Sequence, residues 1–395
     1  MDKKLLFTDA SLLQGDRVLP DGYVAIRGET IAAVGQGPAP EAYHNFERVD
    51  LAGAYLSPGF IDAHCHGGGG ADFMDGTLEA ILTAARAHMR HGTTSIAPTT
   101  VTCPDAELFR FFDLYDQALA IRDAMPNLMG IHLEGPVIAL SQAGAQPPEY
   151  IRAPSAGYAR EVMEKGRGHI IRWSLAPELP GALEMADFLQ SQGILLSIAH
   201  TEAMYPDVLR ALDHGFTHMT HFYSSMPLLQ RVHAQRVLGA VEAGYLLDEM
   251  HLELIADGKH LPPELLRLIL KCKAHDHLSL ITDSMRGATL PEGPSWLGSK
   301  DHGIPVILED GVAKLLDHSA FAGSIATTDR LVRVMVQQAG MPVAEAVQLI
   351  TENPAKLYGL FEKVGSIAPG KQADLVVFDQ DIRIQQVYVR GTRVQ

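Results

Sequence analysis

From residue 57 onward, short apolar runs alternate with amphipathic stretches of helical period. In "TLEAILTAARAHMRHG", Leu78, Ile81, Leu82 and Ala85 recur at helical spacing, and Gly92 marks the stop. The strand candidates between these stretches are, in order, "GFIDAHCH", "TTSIAPTTVT", "LMGIHLEG", "HIIRWSLAPE", "GILLSIAH", "FTHMTHFY", "MHLELIADG" and "LSLITDSM". Strands alternating with helices imply parallel pairing through crossovers. The eight candidates, ending near Met285, are the number that a closed (β/α)8 TIM-type barrel requires. A doubly wound open sheet is the rival, but no G-x-G-x-x-G follows an early strand.

The two ends of the chain read differently. "YVAIRGETIAAVGQG" alternates apolar residues around a turn at Arg27-Gly28-Glu29. After residue 356 the β texture returns in "GSIAPGKQADLVVFDQD" and "IQQVYVRGTRV", with a turn at Pro369-Gly370 and a short strand in "DLVVFD". The expected class is therefore α/β: a barrel over residues 57–356, with a small β-sandwich domain built from residues 1–56 and 357–395.

Composition adds bounds rather than a function. The 395 residues suit a large barrel with an accessory domain. A net charge of −15 disfavours nonspecific nucleic-acid binding, yet leaves room for an anionic small substrate, since a pocket needs only a few local cations. No apolar run is long enough for a membrane span, and the start lacks the apolar stretch of a signal peptide. Cys65, Cys103 and Cys272 are few, scattered and odd in number, which suggests no disulfide framework and a reducing cytoplasm.

The polar residues fall where barrel chemistry is expected, at the C-terminal strand ends. His64 and His66 end the first strand, Glu134 the third, His200 the fifth, His221 the sixth and Asp283 the eighth. Strand alternation turns His64 and His66 to one face and Cys65 to the other, as a packed core thiol. Imidazoles with carboxylates suit Zn²⁺ or another divalent transition ion such as Fe²⁺, Mn²⁺ or Co²⁺. Such an ion acidifies water and polarises a carbonyl. Asp283 then takes the water proton and returns it to the leaving group, which makes the class metal-assisted hydrolysis.

In order along nearly the whole chain, "PGFIDAHCHGGGGADFMDGT", "HLEGP", "PEYIR", "LAPE", "AHTEA", "THFYSSMP", "IADGKH", "LITDSM", "FAGS" and "GSIAPGKQADLVVFD" resemble the amidohydrolase superfamily, and within it the N-acetylglucosamine-6-phosphate deacetylase family. The resemblance implies Glu134, His200 and His221 as main metal ligands, with His64 and His66 at the positions of a second ion, so that one or two ions are bound. It also implies Asp283 as catalytic acid/base, His260 as a substrate contact and Arg231 near the position of a phosphate-binding arginine. A small amino sugar substrate and a homodimer that completes the phosphate pocket across its interface are further implications.

Three segments depart from the family pattern. Ser224 and Ser225 stand where Asn-Ala is usual, Gln146 stands where a histidine closes the loop after "HLEGP", and Arg231, His233 and Arg236 compete for the phosphate position. All three segments concern the sugar and its phosphate. The expected reaction is thus deacetylation of N-acetylglucosamine 6-phosphate, with N-acetylgalactosamine 6-phosphate or a non-phosphorylated acylated sugar as the alternative. A non-catalytic binding protein on the same fold is the reading from another class.

Among the remaining candidates, His218 reads as a buried, satisfied histidine, and His88 and His91 as helix-end residues suited to the dipole. Trp173 and Trp296 read as buried or loop-packed rather than sugar-stacking, while Lys259 meets an anion or solvent.

Overall fold

Residues 3–395 are described by a computed structural model. The alternating texture becomes eight strands and eight crossover helices. The strands are β1 (Phe60–Cys65), β2 (Thr93–Pro98), β3 (Ile131–Glu134), β4 (Ile170–Leu175), β5 (Leu195–Ile198), β6 (Phe216–Met219), β7 (His251–Leu254) and β8 (Leu278–Leu280). A helix follows each one: α1 (Leu78–Met89), α2 (Asp105–Leu119), α3 (Ala156–Lys165), α4 (Ala182–Ser191), α5 (Tyr205–Asp213), α6 (Ala240–Leu246), α7 (Pro263–Cys272) and α8 (Thr328–Gln337).

Strands β3 to β8 pair in chain order as one parallel sheet, and β1 pairs parallel to β2. Single parallel bridges, Thr99 with His132 and Cys65 with Ser284, link the two sheets at both edges. Every residue of β1, β2, β7 and β8 is buried, which is why these strands read as nearly continuous apolar runs. The helices cover the outside. In α1, capped by the Thr77 hydroxyl, the face carrying Ile81, Leu82, Ala84, Ala85 and Met89 is buried. Fully buried Trp173, Phe111 and Phe112 join the same core, each contributing on the order of 1.5–3 kcal/mol.

Strands from both chain ends form one eight-stranded sheet. Its centre pairs Tyr55–Pro58 with Leu375–Phe378 on one side and Lys4–Gln14 on the other. The turn expected at Gly28 joins Arg17–Arg27 to Thr30–Gln36. Leu375 and Val377 face a second core with Leu5, Phe7 and Leu12, while Val376 and Phe378 face the main one. Period-two alternation thus lets one strand serve both cores.

One unit was not anticipated. Between β8 and α8, Gly293–Leu297, Ile304–Glu309 and Val312–Leu315 form a three-stranded antiparallel sheet. Its apolar face packs on Met285 and Ala145, beside the strand ends. Trp296, expected to be buried or loop-packed, lies on this sheet and is 45% exposed, because its neighbours Ser295 and Leu297 take the inward face. Trp173 is buried as expected and donates its indole N–H to the Gly135 carbonyl at 2.8 Å.

His88 also departs from expectation. It occupies the last turn of α1 but is fully buried, with Nε2 2.8 Å from the Gly67 carbonyl oxygen. Burial lowers its pKa to about 4, so it is neutral and offers the helix dipole no charge. His91 instead lies 3.2 Å from Asp329. Among the described residues, no helix is long and apolar enough to cross a membrane.

Candidate active site

The strand ends bring the charged and imidazole groups together. His64 lies within β1 and His66 one residue past it, with their Nε2 atoms 3.3 Å apart. Cys65 between them points away, fully buried, with Sγ 3.3 Å from His88 Nε2. Glu134 is the last residue of β3. His200, His221 and Asp283 follow their strands by a few residues and carry left-handed backbone torsions, with φ of 45°, 32° and 47°. That conformation disfavours residues with a Cβ. It is held by main-chain bonds, among them Asp283 N–H to the His64 carbonyl at 2.9 Å and Ser224 N–H to the His221 carbonyl at 2.9 Å.

Glu134 is the centre of the arrangement. Its Oε1 lies 3.0 Å from His221 Nε2, 3.4 Å from His200 Nε2 and 3.7 Å from His64 Nε2. Its Oε2 lies 3.2 Å from His66 Nε2. Asp283 Oδ1 stands 3.3 Å from His64 Nε2 and 3.2 Å from His66 Nε2. The groups therefore form two three-residue clusters, His64/His66/Glu134 and Glu134/His200/His221, buried and sharing the glutamate.

The donor set fits a divalent metal ion. His200 Nδ1 is 2.7 Å from the Gln142 carbonyl oxygen, and His64 Nδ1 is 3.3 Å from Glu253 Oε2. Facing acceptors, these Nδ1 atoms hold the proton of a neutral ring, which leaves each Nε2 lone pair free to meet a cation. Nitrogen lone pairs and carboxylate oxygens crowded together this way repel unless a cation or protons lie between them. Without a metal, the protons show in the pKa of His66. Burial opposes its charge, but hydrogen bonds and charges from Asp283 and Glu134 carry it up to about 10. Burial likewise opposes the Asp283 carboxylate, and the His64 and His66 imidazoles outweigh it, holding the group below its ordinary value.

A cavity of about 220 Å³ opens over these groups. Ser224, Ser225, Gln146 and His260 line it, together with His66, Glu134, His200, His221 and Asp283. The inserted sheet and the segment after it supply Leu297, Ala320, Phe321 and Gly323. His260 is oriented by Asp257, whose Oδ2 lies 2.9 Å from Nδ1, and its ring packs 4.7 Å from that of Phe321. Gln146 lines the cavity, and its amide also donates one N–H to Glu134 Oε2 at 2.8 Å.

Arg231 is placed elsewhere. It lies with His233 and Arg236 on an exposed two-stranded hairpin, Gln230–Val232 with Gln235–Val237, and none of the three lines the cavity. Side chains at paired positions of a two-stranded hairpin share a face, so Arg231 and Arg236 project together into solvent rather than inward. Lys259 is exposed. His218 is buried with Nδ1 2.7 Å from Ser197 Oγ, but its Nε2 has no hydrogen-bond partner, so only half of the satisfied-histidine expectation holds.

Sequence reasoning missed the layer beneath. Arg172 of β4 and Glu253 of β7 form a buried ion pair behind His64, and Arg172 also donates to Thr220 at 3.0 Å. A charged residue inside each of the apolar runs "IIRWSL" and "HLEL" was the available signal.

Residues 55–394 match the amidohydrolase family. The N-acetylglucosamine-6-phosphate deacetylase of Bacillus subtilis (strain 168) is 32% identical over 99% of this chain and 97% of its own. The N-acetylgalactosamine-6-phosphate deacetylase of Escherichia coli O157:H7 is 31% identical over 96% of each. A mutant N-acetyl-D-glucosamine-6-phosphate deacetylase from Mycobacterium smegmatis, solved in complex with N-acetyl-D-glucosamine-6-phosphate, superposes with a TM-score of 0.91 at 31% identity over 99% of both chains. On the match to nearly its whole length, the chain belongs to the amidohydrolase family.

Proposed function

We propose that the protein removes the acetyl group from N-acetylglucosamine 6-phosphate, releasing acetate and glucosamine 6-phosphate. One observation carries this reading: Glu134, His66, His200, His221 and Asp283 line a cavity sized for a small molecule, with His64 buried against them. The relatives' activities and the shared fold support it. The fold reading that goes with it is a (β/α)8 barrel over residues 57–356, closed through the two parallel bridges. The terminal sheet of residues 1–56 and 357–395 then curls over its own core as a sandwich-like domain.

Glu134, His200 and His221 would hold the main divalent ion, and His64 and His66 a second. The imidazole-carboxylate donor set favours Zn²⁺ over Mg²⁺ or Ca²⁺. When bound, the metal supplies Lewis acidity toward the amide carbonyl and acidifies water. Asp283, a carboxylate at neutral pH, takes the proton from the attacking water and delivers it to the departing nitrogen. His260, fixed by Asp257, turns Nε2 toward the substrate, and Ser224 and Ser225 offer hydroxyls to the sugar.

Among the described residues no arginine or lysine lines the cavity, so a phosphate needs a guanidinium or ammonium from outside the single-chain pocket. A homodimer in which the partner's hairpin brings Arg231 over the cavity meets that need. Exposed Leu228, Leu229 and Val232 on and beside the hairpin suit such an interface. The same missing cation favours, as the second reading, a sugar without phosphate. The three free cysteines suit a reducing compartment, and a cytoplasmic location belongs to this reading.

Acetate release measured on N-acetylglucosamine with and without the 6-phosphate, and on the galactosamine pair, tests the proposal. Higher kcat/KM on N-acetylglucosamine 6-phosphate than on the other three supports it. Equal rates with and without phosphate select the second reading, and no acetate from any of them refutes deacetylation.

A further inference from the structure

The two clusters share Glu134 unequally. Oε1 faces His221, His200 and His64 with no other donor in reach, whereas Oε2 accepts a hydrogen bond from the Gln146 amide at 2.8 Å. The direction of that amide is fixed from its far side. Gln146 Oε1 accepts the Thr102 backbone N–H at 2.7 Å, so the nitrogen end must be the one on Glu134. Gln146 is itself buried and sits in the loop after β3, so it cannot swing away without breaking both bonds. A hydrogen bond to a charged acceptor draws charge from the oxygen it meets.

We propose that Gln146 makes the two halves of the site unequal, so that the Glu134/His200/His221 half holds its divalent ion tightly and the His64/His66/Glu134 half holds a second ion weakly. Oε1 keeps its full basicity for the tight half. A cation approaching Oε2 must share that oxygen with the amide N–H, which already draws on its charge. Gln146 is thus a positioning residue that acts through Glu134. The inference rests on the metal-dependent reading of the site.

The test is metal binding rather than activity. Purified holoenzyme is dialysed against metal-free buffer and its metal content measured, then stripped protein is titrated with Zn²⁺ by calorimetry. The wild type should keep one ion through dialysis and bind the second in a separate, weaker step. Gln146→Leu, similar in size but with no donor, should tighten the weaker step by about tenfold, the loss of one such hydrogen bond, and leave the tighter step unchanged. Gln146→Glu, which replaces the donor with an acceptor of the same length, should tighten it further and keeps the test open if the leucine variant fails to fold. Two equal steps in the wild type, or an unaltered weak step in the variants, overturn the inference. A wild type that binds no ion instead overturns the metal-dependent reading on which it rests.

Discussion

His200, His221 and Asp283 adopt backbone torsions that cost a non-glycine residue energy, and all three face one cavity. A residue placed at such cost, with its amide and carbonyl tied down, points its side chain in a fixed direction. Fixed geometry is what proton transfer to a bound substrate requires. Asp283→Asn keeps the shape and the main-chain bonds but cannot accept a proton. Turnover should fall by about 10²–10⁴-fold with metal content and unfolding midpoint nearly unchanged. Steady-state acetate release beside metal analysis checks this, and turnover within tenfold of wild type removes Asp283 from its role. At this scale the sequence was readable wherever a rule was local. Alternation put His64 and His66 on one face, and the strand-end rule picked out Glu134, His200, His221 and Asp283. Gln146 on Glu134 and Glu253 behind His64 were not readable, because each contact depends on how distant segments meet.

At the level of strands and helices, hydrophobic periodicity carried the reading of the eight strands and of α1. It missed the inserted sheet, which lies where only a crossover was expected, although its short strands alternate between buried and more exposed positions. It also failed for His88, since a histidine in the last turn of a helix looks the same whether it faces water or core. The difference has a thermodynamic consequence. His88 has a folded pKa of about 4 against an ordinary 6.5, so the unfolded chain binds a proton that the folded chain refuses. Stability is therefore full above pH 6.5 and declines as the pH falls toward 4, by about 3 kcal/mol from this residue. Metal-stripped wild type and His88→Gln should be compared in urea at several pH values. The variant, lacking the titrating group, should lose stability less steeply over that window. Equal slopes would mean that His88 takes up a proton in the folded state.

For the molecule as a whole, the net charge of −15 repels an anionic substrate, and among the described residues no arginine or lysine lines the single-chain cavity to hold a phosphate against that repulsion. The hairpin at 230–237 is the natural source, because Arg231 and Arg236 share one exposed face beside apolar Leu228, Leu229 and Val232. If Arg231 serves the neighbouring subunit, two inactive variants should restore each other. Asp283→Asn spoils the site in which it sits, while Arg231→Ala spoils the site across the interface. In a mixed dimer, one site receives both defects and the other receives neither. Random re-pairing of equal amounts makes half of the dimers mixed, so activity on the phosphorylated sugar should return to about a quarter of wild type. If Arg231 instead serves its own subunit, every site in the mixed dimer keeps one defect and nothing is restored. Sedimentation across a concentration series confirms that dimers form and exchange under the assay conditions. The unphosphorylated sugar serves as the control, because Arg231→Ala alone should leave its rate unchanged whichever subunit the arginine serves.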